Sequence, residues 1–183
     1  MQILNEELTD AQRIHRVLQA AIDHYPRLAA FRFSLRQPDT DALFLPAEAV
    51  LKFVNTLQRM INGFIDMRHG EGKAAPPTIL RVLWGMNASH DLQMLLLLNH
   101  STFSRRPRQE EPEAVLALIR QAWVTVNRNA GFITEPAVLF SPEPCLLAHR
   151  AAPDRFAAQY DVLRNVARQL SAPVNVCLSN MSG

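Results

Sequence analysis

Four stretches of the chain repeat apolar residues at helical spacing, and five others alternate or run continuously apolar. Ile14, Val17, Leu18, Ala21 and Ile22 form one face of a helix that Thr9 can cap. Tyr25-Pro26 stops it, because the residue before a proline is pushed out of the helical region. Leu28 to Gln37 alternates, with Phe31, Phe33 and Leu35 on one side and Arg32, Ser34 and Arg36 on the other, which predicts a half-buried strand. After the turn cluster Pro38-Asp39-Thr40-Asp41, Pro46 opens a long helix with Val50, Phe53, Val54, Leu57, Met60, Ile61, Phe64 and Ile65 inward, ending near Gly70. Thr78 to Met86 and Asp91 to Leu98 read as two strands joined around Asn87-Ala88-Ser89. The second is apolar on both faces, as a central strand covered on both sides must be.

A third long helix follows Pro112, with Val115, Leu118, Ile119, Ala122 and Val126 on one face and a stop at Asn129-Ala130-Gly131. Ala137 to Phe140 and Cys145 to His149 are short strands around a proline-rich turn. Pro153 begins a last helix, with Phe156, Tyr160, Leu163, Ala167 and Leu170 inward, stopping before Pro173. Strands two and three are too closely joined for a crossover and form an antiparallel hairpin. The fold class expected is therefore α+β, an antiparallel sheet of about five strands with helices packed on it. Residues 1–183 read as one domain, with an N-terminal helix within 1–26 and a tail at 174–183 that shows no pattern.

Composition narrows the classes without choosing a chemistry. A chain of 183 residues, 48% hydrophobic and 20% charged, suits one globular domain with a core. Two isolated cysteines, Cys145 and Cys177, make neither a disulfide framework nor a zinc cluster, and no signal peptide is visible, so a cytoplasmic location is expected. The longest apolar run, Leu92 to Leu98, is too short for a membrane span, so no membrane partner is expected. Only Lys52 and Lys73 among the 19 basic residues are lysines; the rest are arginines, whose planar fork suits phosphate. Against this, the net charge is only +2, too small for a dominant electrostatic binder.

His24-Tyr25-Pro26-Arg27-Leu28, Phe31 to Leu35, Ser89-His90 and Leu95-Leu96-Leu97-Leu98-Asn99 together resemble the YagK/YfjJ-type proteins, which are related to the replication proteins of filamentous phages. Ala122-Trp123, Phe140-Ser141-Pro142 and Tyr160-Asp161-Val162-Leu163 follow in the same order, so the resemblance spans roughly residues 22–170. It implies an HUH-type, Rep-like fold of ferredoxin or RRM kind. It also implies nicking of single-stranded DNA by a divalent metal, held by two histidines one residue apart on a strand, and a tyrosine nucleophile. Two such histidines share a face and can reach one cation, which polarises the phosphate that the tyrosine attacks.

This chain departs from that pattern at four positions. His90 matches the first histidine, but the second ligand position is Leu92. The acidic residue of the first strand corresponds to Ser34, the Glu near the end of the second to Asn87, and the tyrosine to Asn165. Tyr160 lies five residues before Asn165 and on the apolar helix face. His100 shares the parity of His90 but lies roughly 33 Å along an extended strand, and His149 could join only if its strand lay beside the third.

The resemblance, together with these departures, implies a catalytically silent, replication-initiator-like protein of a mobile element or phage. It would bind nucleic acid or a protein partner in a regulatory or element–host conflict role. One alternative is an active endonuclease nicking single-stranded DNA for rolling-circle replication, with Mg or Mn as cofactor and His90 and Tyr160 as residual catalytic candidates. Another is a purely protein-binding, dimeric module. In the first reading no cofactor is needed. The candidates for touching single-stranded DNA are Arg32 and Arg36 on the first strand, Arg105, Arg106 and Arg108 in a loop followed by acids, and Arg164 and Arg168 one helical turn apart. Trp84, Phe103 and Trp123 could stack on bases, although Trp123 adjoins an apolar stripe and reads as core.

Overall fold

A computed structural model describes residues 7–38, 45–103, 112–131, 138–140, 145–147 and 153–179. Its elements are α1 (Asp10–His24), β1 (Leu28–Leu35), α2 (Pro46–Gly70), β2 (Arg81–Met86), β3 (Leu92–Asn99), α3 (Pro112–Asn129), β4 (Val138–Phe140), β5 (Cys145–Leu147), α4 (Pro153–Arg168) and β6 (Asn175–Leu178), with a short 3-10 turn at His100–Thr102. The architecture is α+β. Every strand pairing is antiparallel, in the order β4-β1-β3-β2-β6. β5 pairs with the same edge of β1 as β4, opposite Leu28–Ala30 where β4 lies opposite Phe33–Leu35.

Local signals account for the helix ends. Thr9 and Gln12 form a reciprocal capping box at the start of α1, a motif worth about 1 kcal/mol. Tyr25 ends that helix in an extended conformation ahead of Pro26, and Pro46 sits in the first turn of α2.

Strand parity then divides the sheet residues between two cores. Ala29, Phe31, Phe33, Leu35, Val82, Trp84, Leu92, Met94, Leu96 and Leu98 pack with α2 and α3. Leu28, Ala30, Leu83, Leu95 and Leu97 pack with α1 and α4 on the other face. The sheet is thus the middle of three layers, and β3, third of five across it, is apolar on both faces because helices cover both. Trp84, Phe103 and Trp123 are all buried in the α2/α3 core and are not stacking platforms.

One element differs from the sequence reading. The stretch from Val174, expected to be a patternless tail, contains β6, which pairs with β2 along Arg81–Trp84. Its half-buried positions are Asn175 and Cys177, whereas Val176 and Leu178 are exposed. That inverts the usual apolar-in, polar-out alternation and hides the strand from a periodicity test.

Candidate functional site

The α1/α4 face of the sheet changes character partway along its strands. Ala30 and Leu97 pair beneath the helices, but the next positions toward the end of β1 are Arg32 and Ser34, and Ser34 pairs with Gln93 of β3. Gly85 of β2 lies beside Gln93 in register. This polar end of the face is covered by backbone rather than by a helix. The segment linking α4 to β6 crosses it, with the Ser171 N–H donating to Gln93 Oε1 at 2.7 Å and Gln169 Oε1 accepting from Arg32. A Cβ added to Gly85 would lie 2.1 Å from the Ser171 carbonyl oxygen, so only glycine lets the backbones approach this closely.

The same end holds Arg36, His90 and Asp91. Arg36 follows β1, exposed, with Nε 3.5 Å from Asp91 Oδ1, and its carbonyl accepts from Trp123 Nε1 at 3.2 Å. Gln37 Nε2 donates to the His90 carbonyl at 3.1 Å. The turn between β2 and β3 is organised by Asn87, whose Oδ1 accepts from the N–H groups of Ser89 (3.0 Å) and Asp91 (2.9 Å). The His90 N–H donates to the Asn87 carbonyl at 3.0 Å, and His90 itself has φ +62°, the left-handed residue that closes the hairpin loop.

These positions settle where each candidate stands. His90 is exposed and lies in the turn, not on a strand. Leu92, two residues on, is 0% exposed and faces the α2/α3 core, whereas Ser34 faces the opposite side of the sheet. The positions that the resemblance would gather round a metal are therefore divided between two faces. Asn87 serves the turn, and Asn165 is exposed on α4. Tyr160 is half-buried beside the α1/α4 core, stacked on Phe156, with its hydroxyl 3.4 Å from His15 Nδ1.

His100 opens the 3-10 turn at the far end of β3 from His90. Burial, and then the nearby Arg27 charge, push its pKa below the ordinary imidazole range. Among the described residues no three His, Cys, Asp or Glu side chains are grouped to hold a metal ion, and His149 lies outside them.

Of the arginines, Arg32 and Arg36 come together at the polar end. Arg164 is half-buried, bonded to Asp161 at 3.0 Å and set against the Tyr160 ring, while Arg168 is exposed one turn further along α4. Arg105, Arg106 and Arg108 lie outside the described residues. Gly85 is a feature that sequence reasoning missed, although a glycine inside an apolar strand signals a close backbone approach. A groove of about 440 Å³ between α2 and the end of α3, lined by Lys52, Thr56, Arg59, Val126 and Asn129, contains none of the sequence candidates.

No helix among the described residues is long and apolar enough to cross a membrane. The model of a family described as "Uncharacterised conserved protein UCP030791" matches residues 1–136. No curated protein and no solved structure matches the chain.

Proposed function

The chain belongs to that uncharacterised conserved family, and we propose that it is a catalytically silent, replication-initiator-like protein that holds single-stranded DNA without cutting it. The observation that carries the reading is the split between neighbouring residue pairs on β1 and β3. Leu35 and Leu92 pair on the side buried under α2 and α3, while Ser34 and Gln93 pair on the side that also carries Arg32. A leucine at the second ligand position offers a metal no electron pair, and its burial leaves that side of the strand serving the core. The guanidinium groups of Arg32 and Arg36 remain at the polar end, where each can exchange its partner, Gln169 or Asp91, for a phosphate oxygen. With a net charge of +2, such binding is local and modest rather than driven by the field of the whole molecule.

Fluorescence anisotropy with a single-stranded oligonucleotide across a salt series tests the binding. Affinity should fall steeply with salt. Arg32→Ala with Arg36→Ala should weaken it and flatten the log–log slope by about 0.7 for each phosphate that is no longer neutralised. No measurable binding at low salt overturns the nucleic-acid part. Incubating the same oligonucleotide with magnesium or manganese tests the silence. Metal-dependent nicking with a covalent protein–DNA adduct, abolished by His90→Ala, overturns it.

A further inference from the structure

The sheet ends differently at its two edges. One side of β1 is occupied by β4 and β5, strands of three residues each. At the other edge β6 pairs with β2, and no strand pairs with its outer side among the described residues.

The ladder fixes which groups point outward there. The Ser179 N–H donates to the Leu80 carbonyl, so Ser179, Cys177 and Asn175 turn their backbone groups toward β2. Val176 and Leu178 therefore direct both N–H and C=O away from the sheet. The same two residues expose their side chains, at 38% and 52%. Edge strands of soluble proteins are usually blunted by a lysine, a proline or an inward-pointing charge. Asn175-Val176-Cys177-Leu178 carries none of these.

We propose that this edge is the seat of a second copy of the chain, the two β6 strands pairing antiparallel about a two-fold axis at Cys177. The geometry is self-complementary, as a two-fold interface requires. Centring the pair on Cys177 sets Val176 opposite Leu178 of the second copy and Leu178 opposite its Val176. The outward N–H and C=O groups of both residues are then satisfied in two reciprocal hydrogen-bonded pairs. The four exposed aliphatic side chains meet on one face of the joined sheet, which accounts for the inverted alternation of β6. Any other register leaves at least one outward residue of each copy without its reciprocal partner. The two Cys177 residues become a directly opposed, non-hydrogen-bonded pair, with Cα atoms about 4.5 Å apart. That separation falls within the range a disulfide can bridge. Burial raises the Cys177 pKa, so the thiol stays protonated near neutral pH and the interface forms without a covalent link. The inference is independent of the nucleic-acid reading, since it involves the opposite edge of the sheet from β4 and β5 and none of the arginines assigned to DNA.

Sedimentation of the full chain over a concentration series tests it. The mass should rise from 20.6 kDa to twice that value. Replacing Val176→Lys and Leu178→Lys, both exposed and so compatible with an unchanged circular dichroism spectrum, should weaken the dimer by more than about tenfold by setting like charges opposite one another. A copper-catalysed oxidation at mildly alkaline pH should give a disulfide-linked dimer that Cys177→Ser abolishes. A monomer at every concentration, or a dimer indifferent to the two lysines, overturns the interface. A dimer that Cys177 does not cross-link overturns the register.

Discussion

The two faces of the sheet are built to different plans along the same strands. On the α2/α3 side every inward position of β1 and β3 is apolar, from Ala29 and Leu98 at one end to Leu35 and Leu92 at the other. Toward α1 and α4, beyond Asn99 at the end of β3, the rows are apolar at Leu28, Ala30, Leu95 and Leu97, and then turn polar at Arg32, Ser34 and Gln93. Burying a large apolar side chain stabilises by about 1.5–3 kcal/mol, whereas an intramolecular hydrogen bond contributes a net ~1 kcal/mol. The first face thus carries more of the stability per residue. The second keeps polar groups near solvent, in pairings that can be exchanged.

Leu92 gives the largest test of that contrast. Leu92→His would create the two-histidine spacing that the resemblance implies, but it places an imidazole in a core with no room for its hydration. It should cost about 3–5 kcal/mol, through lost packing and an unsatisfied ring nitrogen, read as a shift in the urea midpoint. A variant that folds with wild-type stability and gains metal affinity would break the comparison, because Leu92 would then sit against a site rather than within a core.

Most of the architecture was legible in the residues, and the exceptions have physical reasons. β3 announced itself as central because both its faces are apolar, and α1 and α2 because a cap and a first-turn proline frame long amphipathic stripes. β6 was not legible, since its apolar residues point outward. The site was readable only as far as parity reaches. Alternation along β1 correctly grouped Arg32 with Ser34, but the partners at this end, Gln169 for Arg32 and Ser171 for Gln93, come from far away in the chain. The resemblance implies a strand position for the histidine at His90, immediately after the junction Asn87-Ala88-Ser89. The Asn87 side chain, by capping two N–H groups, folds those residues into a turn instead.

The polar end has its own rigid element, and Gly85 is the place to probe it. A methyl group there would overlap the Ser171 carbonyl, which is backbone and cannot rotate away. Gly85→Ala should therefore either lift the α4–β6 segment off the sheet or strain β2, at a cost of about 1–3 kcal/mol. Faster amide exchange at Ser171 would accompany it, as the bond to Gln93 opens. Unchanged stability together with unchanged exchange would mean that the segment does not seal this end, and would weaken the argument that Arg32 is held in place by it.

The smallest effect expected is at His90, and its sign is informative. A non-glycine residue at φ +62° is strained by about 1–2 kcal/mol. Glycine removes that strain but gives back about 0.4–1 kcal/mol through the greater freedom of the unfolded chain. His90→Gly should accordingly be neutral to slightly stabilising, within about 1 kcal/mol, and raise the melting temperature by no more than about 4 °C. His90→Val, with a branched side chain forced into the same backbone conformation, should move stability the other way. Neither change should alter affinity for single-stranded DNA if the arginines alone hold the phosphates. A clear loss of stability in the glycine variant would show that the imidazole itself makes an interaction worth more than the strain it incurs, and would return His90 to the polar end as a working residue rather than the closing residue of a turn.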